Sequence, residues 1–252
     1  MAVVLSTPEL LEGIFLQCDI RSILTSAQRV CRQWHEVIVS SPAVQTHLYF
    51  RPGPPPLPSH GSTLNPLLSE IFAPFFAPFV INTSEGFWDR TEIESLPLAR
   101  NPGPFMRADA SWRSMHVQQP PLRALGVVTP SENVSFLHER EVRMGDLYDH
   151  VVRILTRPGQ GWRILWRERR TLEDHRTLLE DFNSDCTKEI LREVDVVLVR
   201  SSGPFRSTTV LASDREFMAR FTHPTALKSR LLNVTPPKRI RGRMSRREQR
   251  EL

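Results

Sequence analysis

The eight histidines and three cysteines are the side chains of this 252-residue chain best suited to acid–base, nucleophilic or metal chemistry, and their spacing does not gather them. His35-Glu36 and His138-Glu139 are neighbours in sequence, which on a helix turns the paired side chains about 100° apart. Hydrolytic or phosphoryl chemistry calls for patterns such as His-Glu-x-x-His, Gly-x-Ser-x-Gly or a glycine-rich phosphate loop, and none occurs. No carboxylates are spaced so that one would poise the other. His175, Asp185 and Cys186 are a set that folding could bring together, but no spacing rule favours it. Cys18, Cys31 and Cys186 form neither a Cys-x-x-Cys pair nor a disulfide framework, which suits a reducing compartment. Cys31, with no His or metal-ligand spacing beside it, reads as a small buried apolar residue. The expectation is a chain with no catalytic residues, no cofactor and no metal.

The residues that do recur with a pattern are apolar and lie near the start. Thr7 is placed to cap a helix, Pro8 suits the first helical position where its missing donor costs nothing, and Glu9 favours the positive end of the helix dipole. Leu10, Leu11, Ile14 and Phe15 then form a stripe. Asp19 can cap a second helix carrying Ile20, Ile23, Leu24 and Ala27. Val30, Cys31, Trp34, Val37 and Ile38 continue the stripe into a third helix, with Arg21, Arg29, Arg32, Gln33 and Glu36 falling on the solvated side. Ser40-Ser41-Pro42 stops this run and starts a further turn through Val44 and Leu48.

These residues resemble the F-box family. The matching segments are Pro8-Glu9-Leu10-Leu11-x-x-Ile14-Phe15, Asp19-Ile20-x-x-Ile23-Leu24, Val30-Cys31-Arg32-Gln33-Trp34 and Ser40-Ser41-Pro42, in the family's order and at its distances over about 45 residues. The family's Leu-Pro opening is represented by Ser6-Thr7, with proline one place later. The local style, and Ala110-Ser111-Trp112-Arg113-Ser114-Met115, Gln118-Gln119-Pro120-Pro121 and Arg143-Met144-Gly145-Asp146-Leu147-Tyr148-Asp149 further on, are similar to F-box proteins common in filamentous fungi. The resemblance implies three helices that dock on the C-terminal helices of a Skp-type adaptor and, through it, a cullin–RING ubiquitin ligase. The rest of the chain would present a protein substrate. The residues it assigns to the adaptor are Pro8, Leu10, Leu11, Ile14, Phe15, Ile20, Leu24, Val30, Cys31 and Trp34. A module of this size lies near the lower limit for a self-sufficient core, and so wide a stripe exceeds what three short helices hide among themselves.

The remaining organisation follows from texture. Residues 51–63, with five prolines, read as a semi-rigid extended spacer between an adaptor module at 1–50 and a second region at 64–235. That second region opens with the aromatic, proline-punctuated run Ile71 to Phe79. A short helix is expected at Trp112 to Val117, and a helix with Met144, Leu147, Tyr148, Val151, Val152 and Leu155 on one stripe. Strands are expected at Trp162 to Trp166, Val194 to Val199 and Thr208 to Leu211, the last two as an antiparallel hairpin. Trp88, Trp112, Trp162 and Trp166 are read as core or as exposed contacts, with core favoured. The fold class is therefore α+β, a three-helix module followed by a loop-rich mixed domain with a small antiparallel sheet.

The net charge of +5 is confined to the end. Residues 238–252 hold seven of the 33 basic and two of the 28 acidic side chains, so the other 237 residues carry 26 of each and offer no broad basic face. The tail at 236–252 reads as disordered, as a nuclear-import or nucleic-acid-contacting arm, or as a contact for an acidic partner surface. No run is long and apolar enough to span a bilayer, and the start lacks the basic flank of a signal peptide, so a cytoplasmic or nuclear protein is expected. A second reading is a basic-tailed nuclear regulator that uses the helices for another helical partner, outside any ligase.

Overall fold

The first helix, α1 (Pro8–Phe15), begins at Thr7 with proline in the first turn, although the Thr7 side chain makes no capping hydrogen bond. The computed structural model describes residues 7–53, 61–77, 88–128, 134–138, 141–155, 160–167, 194–202 and 214–221. The expected strand at 208–211, the tail at 236–252 and the set His175, Asp185 and Cys186 lie outside them. α2 (Ile20–Thr25) is capped by Asp19, whose carboxylate accepts from the Ser22 N–H at 2.9 Å. That contact with Ser22 holds the Asp19 carboxyl below its ordinary pKa. A 3-10 turn at Ala27–Arg29 leads into α3 (Arg32–Ser40). Ser41 then caps α4 (Pro42–His47), its hydroxyl oxygen accepting from the Val44 N–H at 3.1 Å. The stop and restart read from Ser40-Ser41-Pro42 is thus a two-helix corner.

The rest of the chain is a mixed body, so the protein is α+β, with twelve α-helices and two small sheets among the described residues. A short ladder joins β1 (Thr63–Leu64) to β2 (Gln118–Gln119). The aromatic run becomes α5 (Pro66–Ile71), capped by Asn65, and α6 (Ala73–Phe76). Four short helices follow, α7 (Arg90–Ser95), α8 (Pro97–Arg100), α9 (Pro102–Phe105) and α10 (Ser111–Ser114). α10 stops three residues short of the helix expected through Val117, because the backbone beyond it is engaged elsewhere. The Met115 carbonyl accepts from Met144 N–H at 2.9 Å, and His116 N–H donates to the Tyr49 carbonyl at 2.7 Å.

The larger sheet has the order β4-β3-β6-β5, formed by β3 (Leu125–Val128), β4 (Val134–His138), β5 (Gln160–Trp166) and β6 (Val196–Ser202). β3 pairs antiparallel with β4 and β6 with β5, but β3 and β6 run parallel. The expectation of an antiparallel sheet is corrected here: β6 is a central strand with partners on both sides, brought beside β3 by a crossover that contains α11 (Met144–Leu155). A last helix, α12 (Asp214–Phe221), sets Phe217 and Phe221 into the core.

All six residues of the stripe read on α11 are buried. Phe72, Phe75, Trp112, Tyr148 and Trp162 pack as an aromatic cluster, with Phe75 4.7 Å from Trp162 and Trp112 5.2 Å from Tyr148 between ring centroids. Burial pushes the Tyr148 hydroxyl well above the usual phenol range. Trp112, Trp162 and Trp166 are therefore core, and Trp88 is half-buried, its backbone bridged to that of Trp162. Gly145 lets α11 lie directly on α10, since a Cβ there would stand 2.9 Å from the Arg113 carbonyl oxygen.

Candidate docking surface

The stripe on α1 splits into two faces one residue apart. Leu11 and Phe15 point inward and are fully buried, whereas Leu10 and Ile14 are 48% and 37% exposed. Ile14 is four positions after Leu10, which places them one above the other on one side of the helix. Pro8 and Gly13 are exposed on α1 too, and a Cβ at Gly13 would meet nothing within 4 Å.

Side-chain hydrogen bonds hold α1 in this orientation. The Ser41 hydroxyl donates to Glu12 at 2.6 Å and so ties α1 to the start of α4. His47 Nε2 meets the Cys18 carbonyl at 2.9 Å, tying the end of α4 to the turn before α2. Trp34 stands edge-on to Phe15 at 5.3 Å and is half-buried, so the first turn of α3 lies against the last turn of α1. Val30 and Cys31, which lead into that turn of α3, are exposed, Val30 at 59%. This corrects the expectation that Cys31 is buried: its backbone is extended at the N-cap of α3, which turns the thiol outward.

The ten residues assigned to a partner thus separate by position. Leu11, Phe15 and Ile20 are core, Leu24 and Trp34 are half-buried at the border, and Pro8, Leu10, Ile14, Val30 and Cys31 are open to solvent. Val39, 56% exposed on α3, was not singled out from the sequence, where it follows the inward pair Val37 and Ile38 without a signal of its own. Arg29 and Arg32 are exposed beside Val30 and Cys31, and Arg32 pairs with Glu36 one turn along α3 at 3.8 Å.

No family model, curated protein or solved structure matches this chain. What distinguishes the surface is therefore physical. Among the described residues, the large apolar side chains open to solvent are Leu10, Ile14, Val30 and Val39, all in the stretch of chain from α1 to α3, while those of the α+β body are covered. Scattered single apolar residues need no explanation, but a set that falls wholly on the N-terminal helices makes those helices the candidate contact surface. Its chemistry is burial of aliphatic area. His35 and Glu36 are exposed neighbours on α3, and no group of three or more His, Cys, Asp or Glu among the described residues could hold a metal ion. No helix among them is long and apolar enough to cross a membrane.

Proposed function

We propose that this chain is a substrate receptor of the F-box type, whose N-terminal helices dock on a Skp-type adaptor and through it join a cullin–RING ubiquitin ligase. The observation that carries the reading is the exposed set Pro8, Leu10, Ile14, Val30 and Cys31, at positions where the sequence resembles the F-box pattern. Apolar side chains at helical spacing with a polar border are what a partner helix or helix pair covers. Leu11, Phe15 and Ile20 serve the same surface from inside by fixing the angles of α1, α2 and α3, and Leu24 and Trp34 form its edge. The receptor performs no covalent step. It raises the local concentration of a protein substrate, bound by the rest of the chain, beside a ubiquitin-charged enzyme.

Hydrogen exchange on the full chain with and without a purified Skp-type adaptor tests the assignment. Amides of residues 9–14 and 30–34 slow on adding adaptor if the surface is the one proposed. Protection confined to the α+β body, or no protection anywhere, would overturn it.

A further inference from the structure

We infer that Gln119 clamps both ends of the proline-rich stretch 51–63, so that the N-terminal helices and the α+β body fold as one unit that survives a cut in that stretch. This stands whether or not the helices dock on an adaptor. An extended run of prolines reads as a spacer from sequence, and a spacer leaves the parts it joins free of one another. Here the side chain and backbone of one residue hold the two ends of the run together.

At the leading end, Gln119 Nε2 donates to the Thr46 carbonyl at 2.7 Å and to the Arg51 carbonyl at 3.4 Å. Thr46 lies in the last turn of α4, where carbonyl groups lack helical partners, and its oxygen also accepts from Tyr49 N–H at 3.0 Å. The chain can turn back toward Gln119 because Tyr49 takes a left-handed backbone conformation, φ 62°, which is uncommon for a residue with a Cβ. Gly53 completes the approach: a Cβ there would overlap the Gln119 side-chain amide. At the trailing end, the backbone of the same residue pairs with Thr63, and Gln118 pairs with Leu64.

Other contacts join the two parts beside the clamp. His116 N–H donates to the Tyr49 carbonyl at 2.7 Å, and the Tyr49 hydroxyl donates to the Leu64 carbonyl at 3.1 Å. Val44, Leu48 and Tyr49 belong to the same continuous buried cluster as Leu68, Met115 and Val117. Arg21 pairs with Glu70 at 2.8 Å, but both are exposed, so this pair contributes little. An unshared core is the usual mark of separate domains, and the core here is shared.

The test is a protease site placed within 54–60 of the full chain and cut under native conditions. The two halves are expected to co-elute as one particle at micromolar concentration. Gln119→Ala and, independently, Gly53→Val, whose branched side chain displaces the amide, each weaken association of the cut halves by about tenfold, as loss of a satisfied amide contact to backbone carbonyls should. The uncut variants keep native helical circular dichroism, which separates a lost clamp from a lost fold. Departure of either half from the native cut complex, as a folded particle or as a precipitate, would overturn the inference. So would cut Gln119→Ala halves that associate as tightly as the native ones.

Discussion

Replacing Leu10 and Ile14 together by alanine separates the roles of the two faces of α1. Burying a whole Leu or Ile side chain is worth about 1.5–3 kcal/mol, and these two have roughly half and a third of that still to gain. Docking on both therefore contributes about 1.2–2.5 kcal/mol, which is roughly eight- to seventyfold in the Kd for a Skp-type adaptor. The folded state loses the complementary share, because Leu10 and Ile14 are 48% and 37% exposed and so about half and two-thirds covered, and the double truncation should cost about 1–3 kcal/mol of stability, shared between two sites open to solvent that leave no sealed cavity. Leu11→Ala gives the opposite pattern. Leu11 is fully buried, and its truncation costs about 2–5 kcal/mol of stability through lost burial and the cavity left behind. Calorimetric titration with adaptor and urea denaturation, run on both variants, read the two effects apart. A native Kd for the Leu10→Ala, Ile14→Ala chain, or a stability loss per truncated residue as large as that of Leu11→Ala, would refute the division of α1 into an outer docking face and an inner core face.

Three further outcomes follow from particular contacts. His116 is fully buried, both ring nitrogens lack a hydrogen-bond partner, Glu141 is 3.6 Å away, and desolvation followed by the charge of Arg143 lowers its pKa. The unfolded chain therefore takes up a proton below about pH 6.5 that the folded chain resists, so the His116 contribution to stability is complete above that pH and lost as pH falls toward the lowered value. Urea midpoints between pH 7.5 and 5.5 should fall less steeply for His116→Gln than for the native chain, and equal slopes would count against it. Gly13→Ala should raise stability by about 0.5–1 kcal/mol, since the added Cβ meets nothing and glycine is a poor helix former; an unchanged melting temperature would mean that α1 frays there. Ser41→Ala removes both the α4 cap and the bond to Glu12 and should cost about 1–2 kcal/mol in thermal denaturation, with a loss under about 0.5 kcal/mol contradicting the corner described at Ser41.

Much of the helical part was legible because its signals are local. Asp19 caps the second helix as read, Ser41-Pro42 ends one helix and starts another, and the 3.6-residue stripe of α11 is buried throughout. β5 and β6 were legible for the same reason, being short runs of β-branched and aromatic residues. β3 was not read as a strand, because Leu125-Gly126-Val127-Val128 is brief and contains a glycine. Its parallel partner, β6, lies some seventy residues further on, a pairing that no local pattern encodes. The same limit applies to the surface. Leu10 and Leu11 are alike in type and adjacent in sequence, and which of them faces solvent depends on where α3 and α4 cover the stripe. The proline-rich stretch shows it once more, since what holds its ends is a glutamine far along the chain.

The most direct test of the central claim is a calorimetric titration of the full chain with a purified Skp-type adaptor. The account predicts a one-to-one complex of micromolar affinity or tighter that weakens in the Leu10→Ala, Ile14→Ala variant. Absence of binding by the folded, intact chain would contradict the receptor assignment and leave the exposed helices to a different helical partner, outside any ligase.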